Sequence, residues 1–556
     1  MESTTREAKK LRRNPSDSDH GGGGGGNDLI SHLSDDILVH ILASLPNMTD
    51  VMRACAVSRR WRHLEARVPV LRFFFLDYNF NDREKLDQFI AFVNNILARR
   101  AHKSDATVEE LEISLKLFNS KRSVPSVDVA RVDAWIQYAM QHVLKSFTVQ
   151  FDCHMLPLNF SNSNNGMVFD KLTTTSSSTS RLESMVLSLH KACLRLPTNV
   201  TFDSLIHLSL ENVRFEDDCS SQQQLDLNQL LSPACCPSLR KLRLCRLIVS
   251  PPTKLHLESN ELLELSLDGI WKRALELELK TPKLRVFHTS YMSIERLVIS
   301  APRLEELTFF HTTVASIVEV EDMPCVWSFE TELRSMREPD LNDRVNRTRI
   351  RLLQCCKFLQ FLTLHLIITQ KDGHDNAEVD LIKDIPQLPQ VTSLSLQVSA
   401  FTEVYDIDSV LCLLTRCKFL KHLELNIQYS TMAEDCKRPT GIVGDQNQRD
   451  HHIISLEHLQ DIKITSAYRR YYESRLLKFL HASAPALKKM IFISAFMLSW
   501  NLQVRKKQCE EFLHSIALGK EGEWAFCYHD AHVQNITAFE WTPIKKVECR
   551  EIVHMD

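Results

Sequence analysis

Apolar positions along this chain follow two rhythms, one near the N-terminus and another through most of the remainder. Between residues 33 and 46 the run LSDDILVHILASLP puts Ile37, Leu38, Ile41, Leu42 and Leu45 at helical spacing, which gives a short helix one apolar side. Ser34 is placed to cap that helix. Asp35 and Asp36 sit in its first turn, where the positive end of the helix dipole favours carboxylates, Leu33 can pack on Leu38 as a staple, and Pro46 closes it. Thr49 is the expected cap of a second helix carrying Val51, Ala54 and Cys55, and Val57 to Leu64 opens a third. Helices this short enclose little by themselves, so several large apolar side chains are left for a partner.

Beyond residue 100 the rhythm changes to an apolar residue followed three and five positions later by two more. Leu205/Leu208/Leu210, Leu239/Leu242/Leu244, Leu262/Leu265/Leu267 and Leu304/Leu307/Phe309 are clear copies, and Leu284/Phe287/Thr289 is a degenerate one. From Leu239 to Leu262, Leu262 to Leu284 and Leu284 to Leu304 the steps are 23, 22 and 20 residues, within the range of leucine-rich repeats. Weaker copies are centred on Leu111, Phe147, Met185, Leu362, Leu394, Leu423, Ile462 and Met490. Each copy is a short strand that buries its leucines only by stacking on neighbouring copies. Proline often stands just ahead, as in Cys236-Pro237-Ser238-Leu239 and Ala301-Pro302-Arg303-Leu304, and marks where a return segment stops.

The expected fold class is therefore α/β: a three-helix N-terminal module, then a solenoid with parallel strands on its concave face and helices or irregular returns on its convex face. Residues 1–27 form a disordered tail ending in six glycines, 28–70 the helical module, 100–450 the repeats, 451–495 the final repeats and 496–556 a C-terminal cap. Residues 161–180 read as a mobile polar loop, and 313–350, with mixed charge and no clear strand copy, as a helical insert or a seam.

With 67 Lys and Arg against 70 Asp and Glu, the chain has no overall basic field for nucleic acid or an anionic membrane, so the expected partner is protein. No apolar run has signal-peptide or membrane-span length, which points to the cytoplasm or nucleus. The 16 cysteines are scattered without a CxxC pair and read as reduced core residues.

Leu33, Asp35-Asp36, Ile37-Leu38, Ile41-Leu42, Leu45-Pro46, Asp50-Val51, Val57-Ser58, Arg60 and Trp61 resemble, in order and spacing, the F-box pattern. One position departs from it: the family usually has proline after the first leucine, where this chain has Ser34. Joined to the irregular repeats and the Leu456–Ser494 segment, the whole is similar to plant F-box/leucine-rich-repeat proteins with a C-terminal FBD-type region. The resemblance implies docking on a Skp-type adaptor, which links to a cullin scaffold and a RING subunit. Carried over by position, the docking residues are Leu33, Ile37, Leu38, Ile41, Leu42, Leu45, Pro46, Val51, Val57 and Trp61. Each either faces the adaptor or holds the three helices together.

No phosphate loop, nucleophile elbow, zinc helix or CxxC pair occurs, so a non-catalytic role without cofactor or metal is expected. Cys527, His529 and His532 lack a fourth ligand at a known spacing. On a curved array, the residues between the paired leucines line the concave face: His207, Ser209, Lys241, Arg243, Glu264, Ser266, Val286, His288, Glu306 and Thr308. The resemblance implies a substrate-recruiting subunit of an E3 ubiquitin ligase, with the protein substrate held by the repeats. A repeat scaffold working outside any ligase and a small-molecule sensor remain as alternatives.

Overall fold

The computed structural model describes residue 30 and residues 32–77, 83–102, 107–117, 129–153, 181–194, 201–215, 226–249, 254–269, 275–320, 323–335, 339–368, 385–401, 404–429, 455–466, 470–494, 522–531 and 534–543. The expected tail, the loop at 161–180 and His532 lie outside them. The chain divides into two units, Met1–Val68 and Pro69–Asp556.

In the first unit α1 (Asp35–Ala43), α2 (Met48–Val57) and α3 (Arg59–Leu64) follow one another closely. Ser34 caps α1, accepting from the Ile37 amide at 3.4 Å. The cap of α2 is Asn47, which accepts from the Asp50 amide at 2.9 Å, and not the expected Thr49, which falls inside the first turn. Asparagine is the stronger cap, and its extended backbone lets its side chain reach back over the amides that follow.

The second unit is built on one parallel ladder. Its strands are β1 (Val70–Asp77), β2 (Val108–Leu117), β3 (Val143–Cys153), β4 (Ser184–Cys193), β5 (His207–Phe215), β6 (Lys241–Cys245), β9 (Glu264–Asp268), β11 (Val286–Ser290), β13 (Glu306–Phe310), β15 (Ser328–Ser335), β16 (Phe361–Ile368), β17 (Ser393–Phe401), β18 (His422–Tyr429), β19 (Asp461–Ser466) and β20 (Lys489–Ser494), with the short β7 (Ile248–Val249) beside β5. Leu71, Leu111, Phe147, Met185, Leu208, Leu242, Leu265, Phe287, Leu307, Phe329, Leu362, Leu394, Leu423, Ile462 and Met490 stand in one register row. All are buried. Each such side chain contributes about 1.5–3 kcal/mol by leaving water, and only because the copies on either side cover it.

Two boundaries move. The ladder begins at Val70 rather than near residue 100, because Val68-x-x-Leu71-x-Phe73 already carries the strand pattern. The 313–350 segment is helical from residue 339, but it does not interrupt the array: β15 continues the ladder between β13 and β16. Its copy, Val326-x-x-Phe329-x-Thr331, ends in a buried threonine that fits the interior by donating its hydroxyl to the Phe309 carbonyl at 3.2 Å.

The returns also differ over one stretch. Helices α4 (Arg83–Ala101), α5 (Val129–His142), α6 (Leu227–Leu230), α7 (Pro339–Cys355), α8 (Val404–Arg416) and α9 (Arg470–Ser483) serve as returns, as expected. Between residues 254 and 320, however, β8 (Lys254–Glu258), β10 (Leu275–Lys280), β12 (Ser293–Ser300) and β14 (Thr313–Val320) form a second, four-stranded parallel sheet. Leu255, Leu277, Leu297 and Val318 align across it, at steps of 22, 20 and 21 residues. The alternation in KLHLE and LELELK has period 2, which a helix cannot bury on one side. The last ladder edge is covered by an antiparallel hairpin of β21 (Gly522–Ala531) and β22 (Gln534–Pro543), with β22 paired to β20.

The prolines ahead of the strands occupy the second position of tight turns. Leu284 donates to Thr281, Leu304 to Ala301 and Leu487 to Ala484, each at 3.1 Å across a proline that presets the turn angle. At the other end of the strands, Asn212, Arg246, Gly269, Tyr291 and His311 have φ of 53, 51, 57, 52 and 45°, each immediately following the strand or, for Asn212, within it. They occupy equivalent places in successive coils, five residues past His207, Lys241, Glu264, Val286 and Glu306.

Candidate functional site

The helical unit is tied together at its base by charge. Arg60 on α3 donates through Nε and Nη2 to Asp35 at 2.9 and 2.6 Å and through Nη2 to the Leu33 carbonyl at 2.6 Å. Arg67 reaches Asp36 at 2.7 Å. The aspartates thus serve twice, as helix-dipole partners of α1 and as anchors for the end of the unit. Such half-exposed pairs are worth at most about 1 kcal/mol each, so apolar packing sets the stability of the frame.

Burial sorts the ten expected docking residues. Leu38 and Leu42 are 0% exposed and Val51 2%, which corrects their assignment as docking residues: enclosed side chains have no surface to offer. Ile37 is 48% and Val57 86% exposed, Pro46 is exposed as well, and Leu33, Ile41, Leu45 and Trp61 are half-buried. Ile30, exposed at 53%, joins this set and was missed because it precedes the first helix.

On the long sheet the ten expected concave residues fall into two adjacent rows. His207, Lys241, Glu264, Val286 and Glu306 form one, continued by Ser328 and Phe361. Ser209, Arg243, Ser266, His288 and Thr308 form the other, continued by Glu330 and Thr363. Ser209 is buried, which removes it from the readable set, and the rest are exposed or half-buried. Charges along this face pair across strands: Lys241 with Glu264 at 2.7 Å, Lys463 with Glu424 at 2.7 Å, and His365 with Glu330 at 3.2 Å. Just ahead of the strands Arg285 grips both oxygens of Glu305 at 2.8 Å, and its hydrogen bond holds that carboxyl below its ordinary pKa. Burial, then the charges of Lys241 and Arg243, lower His207, which favours its neutral ring. Among the described residues the face is mostly polar, with charges paired across strands at these places.

The family model of the F-box domain matches residues 30–73. This chain carries an F-box. An Arabidopsis thaliana F-box/FBD/LRR-repeat protein is 26% identical over 300 residues, 53% of this chain and 58% of the relative. An FBD-associated F-box protein from the same plant is 29% identical over 216 residues, 39% of this chain and 40% of the relative. The Arabidopsis F-box/LRR-repeat protein 25 is 30% identical over 191 residues, 34% of this chain and 60% of its own length. The chain thus spans roughly half the length of the curated relatives it matches.

In the F-box, Ser34 keeps the family's shape while changing its chemistry. Its φ of −66° is the angle a proline ring imposes, but its hydroxyl caps the helix where proline has no side-chain acceptor. We expect Ser34→Pro to change the unfolding free energy of the F-box by no more than about 1 kcal/mol, loss of the cap being offset by a stiffer unfolded chain. Urea titration of the two forms checks this, and a larger loss would mean that the cap organises α1.

Elsewhere, no group of three or more His, Cys, Asp or Glu side chains among the described residues is placed to hold a metal ion. Burial pushes the Cys245 thiol up to about 11 and those of Cys356 and Cys417 up to about 12, so these three are protonated at neutral pH and are poor nucleophiles. No described helix is long and apolar enough to cross a membrane.

Proposed function

We propose that this protein is the substrate-recruiting subunit of a Skp–cullin–F-box ubiquitin ligase, acting in the cytoplasm or nucleus. The F-box docks on a Skp-type adaptor, cullin and RING subunits follow through it, and the polar face of the long sheet holds a protein substrate. Bond-forming chemistry belongs to the partners, and this chain raises the local concentration of target lysines. The observation that carries the reading is an F-box joined to a long parallel ladder whose solvent face is polar.

Docking is assigned to the side chains with surface to give, Ile37, Val57 and Pro46, framed by Leu33, Ile41, Leu45 and Trp61, while Leu38, Leu42 and Val51 hold the frame. Replacing Ile37 and Val57 together by Asp is expected to weaken adaptor binding by about 2 kcal/mol or more, roughly 30-fold, with helix content unchanged. Pull-down with purified Skp-type adaptor measures it, and equal recovery by wild type and variant would sink the docking assignment.

The departure at Ser34 favours one second reading, a repeat scaffold that works outside any ligase. Its signature is adaptor binding without co-purifying cullin, and partner levels indifferent to proteasome inhibition.

A further inference from the structure

The left-handed turns that end the strands give the starting point. One of the five is served by Gly269, which shows that a glycine suffices there. Asparagine and histidine tolerate this region, but a tyrosine at positive φ is costly. Tyr291 holds it in the coil next to that of His311, and strain of this kind accumulates where side chains have work to do.

Both point into one cluster on the rim of the long sheet. Tyr291 is 58% exposed and stacks on His311, with ring centroids 4.8 Å apart and planes at 27°. Phe310 sits edge-on to His311 at 4.1 Å and to His365 at 4.8 Å. Beneath them Glu332, fully buried, accepts from Arg334 Nη2 at 2.6 Å and Arg349 Nη2 at 2.7 Å, and its other oxygen lies 3.1 Å from His311 Nδ1. Arg334 Nη2 is also 2.5 Å from that nitrogen. Asn346 on α7 clamps the backbone of Arg334 from both sides, accepting from its amide at 3.1 Å and donating to its carbonyl at 2.9 Å. The guanidinium is therefore held in place by a fixed main chain.

Among the described residues the charges of this cluster do not balance. Two guanidiniums share one carboxylate, and burial lowers His311, which favours its neutral form and leaves the balance to the other three groups. The neighbouring Glu330 is occupied by His365 at 3.2 Å. Among the described residues Arg349, 1% exposed, has no hydrogen-bond partner at Nε or Nη1, and Arg334 has none at Nε. A surplus positive charge thus lies directly under a partly exposed aromatic face, which suits an anion presented beside an apolar group.

We propose that Tyr291, Phe310, His311, Arg334 and His365 form the docking point for an acidic segment of the recruited protein, an Asp or Glu side chain meeting Arg334 while its neighbour lies on the Tyr291 ring. Arg349 is out of reach of the ligand and acts through its charge. The inference rests on the substrate-receptor reading and specifies what that receptor reads.

The test is selection of a phage-displayed library of random dodecapeptides on the full chain bound to its adaptor. Selected peptides are expected to be rich in Asp and Glu, to release with added salt, and to lose about tenfold or more in affinity to Tyr291→Gly and to Arg334→Gln. Tyr291→Gly carries the sharper signature, because relief of positive φ should raise the melting temperature while binding falls. Peptides without acidic residues, affinity unchanged in both variants, or a lowered melting temperature for Tyr291→Gly would each overturn the proposal. If the chain fails to bind adaptor but its free form selects acidic peptides, the ligase reading fails while the acidic-segment site itself is supported. Normal adaptor binding with no peptide selected removes this one alone.

Discussion

Glu332→Gln is expected to cost the repeat unit about 3–5 kcal/mol, the range measured when one partner of a buried ion pair is removed. Glu332 is fully enclosed, and so is Arg349; the Arg334 side chain is only 15% exposed. Burial pushes Arg349 down to about 10, which still leaves it charged at neutral pH, so neutralising Glu332 strands two cations that cannot shed their charge. The amide keeps the volume of the carboxylate, so any loss reports on charge and not on a cavity. A second variant separates the terms: with Arg349→Met added, one stranded cation is gone and part of the loss should return. Guanidinium denaturation of the full chain measures both. A loss under about 1 kcal/mol for Glu332→Gln would mean that water reaches the cluster and screens its charge imbalance.

Phe329→Ala should match that loss in size and differ in kind. Phe329 is completely buried in the register row between Leu307 and Leu362, and truncating such a side chain typically costs about 3–5 kcal/mol. Its strand lies where the two-sheet coils, ending at β14, give way to coils backed by α7. In a stacked array each copy touches only its neighbours, so stability is a sum of copies and interfaces, and a weak interface in the middle uncouples what lies on either side. Phe329→Ala should therefore lower the midpoint and also flatten the transition, giving a smaller denaturant slope than wild type. Met490→Ala, near the end of the ladder, should lower stability with less flattening. Equal slopes for both variants would show that the unit unfolds as one block.

Local pattern foretells tertiary role wherever one segment's own burial sets both. The spacing of three and five residues in each strand copy is itself the geometry of an inward-facing pair, so Leu208, Leu242, Leu265 and their counterparts could be aligned before any contact was known, and the ladder puts them side by side. The F-box was legible for the same reason: Ser34, the two aspartates and the apolar stripe of α1 are all local requirements of one helix. Val68-x-x-Leu71-x-Phe73 and Val326-x-x-Phe329-x-Thr331 carried the pattern too, but isolation from the clear period hid the first and a threonine in place of a leucine hid the second.

What the residues alone determined, then, is a helical module ahead of a long stack of strand copies, because periodicity follows from how one segment must bury its own apolar side. The tertiary structure decided the rest. Alternation in KLHLE and LELELK shows that Leu255 and Leu277 turn inward, yet only the stacked coils decide that they join a second sheet. Leu38 and Ile37 are adjacent and equally apolar, and one is enclosed while the other faces out, since burial depends on where neighbouring elements cross. Glu332 looks like any strand-face carboxylate in the sequence. It becomes the centre of a buried charge cluster because α7, reached through residues with no strand signal, brings Arg349 over it, and long-range placement of that kind leaves no mark on local pattern.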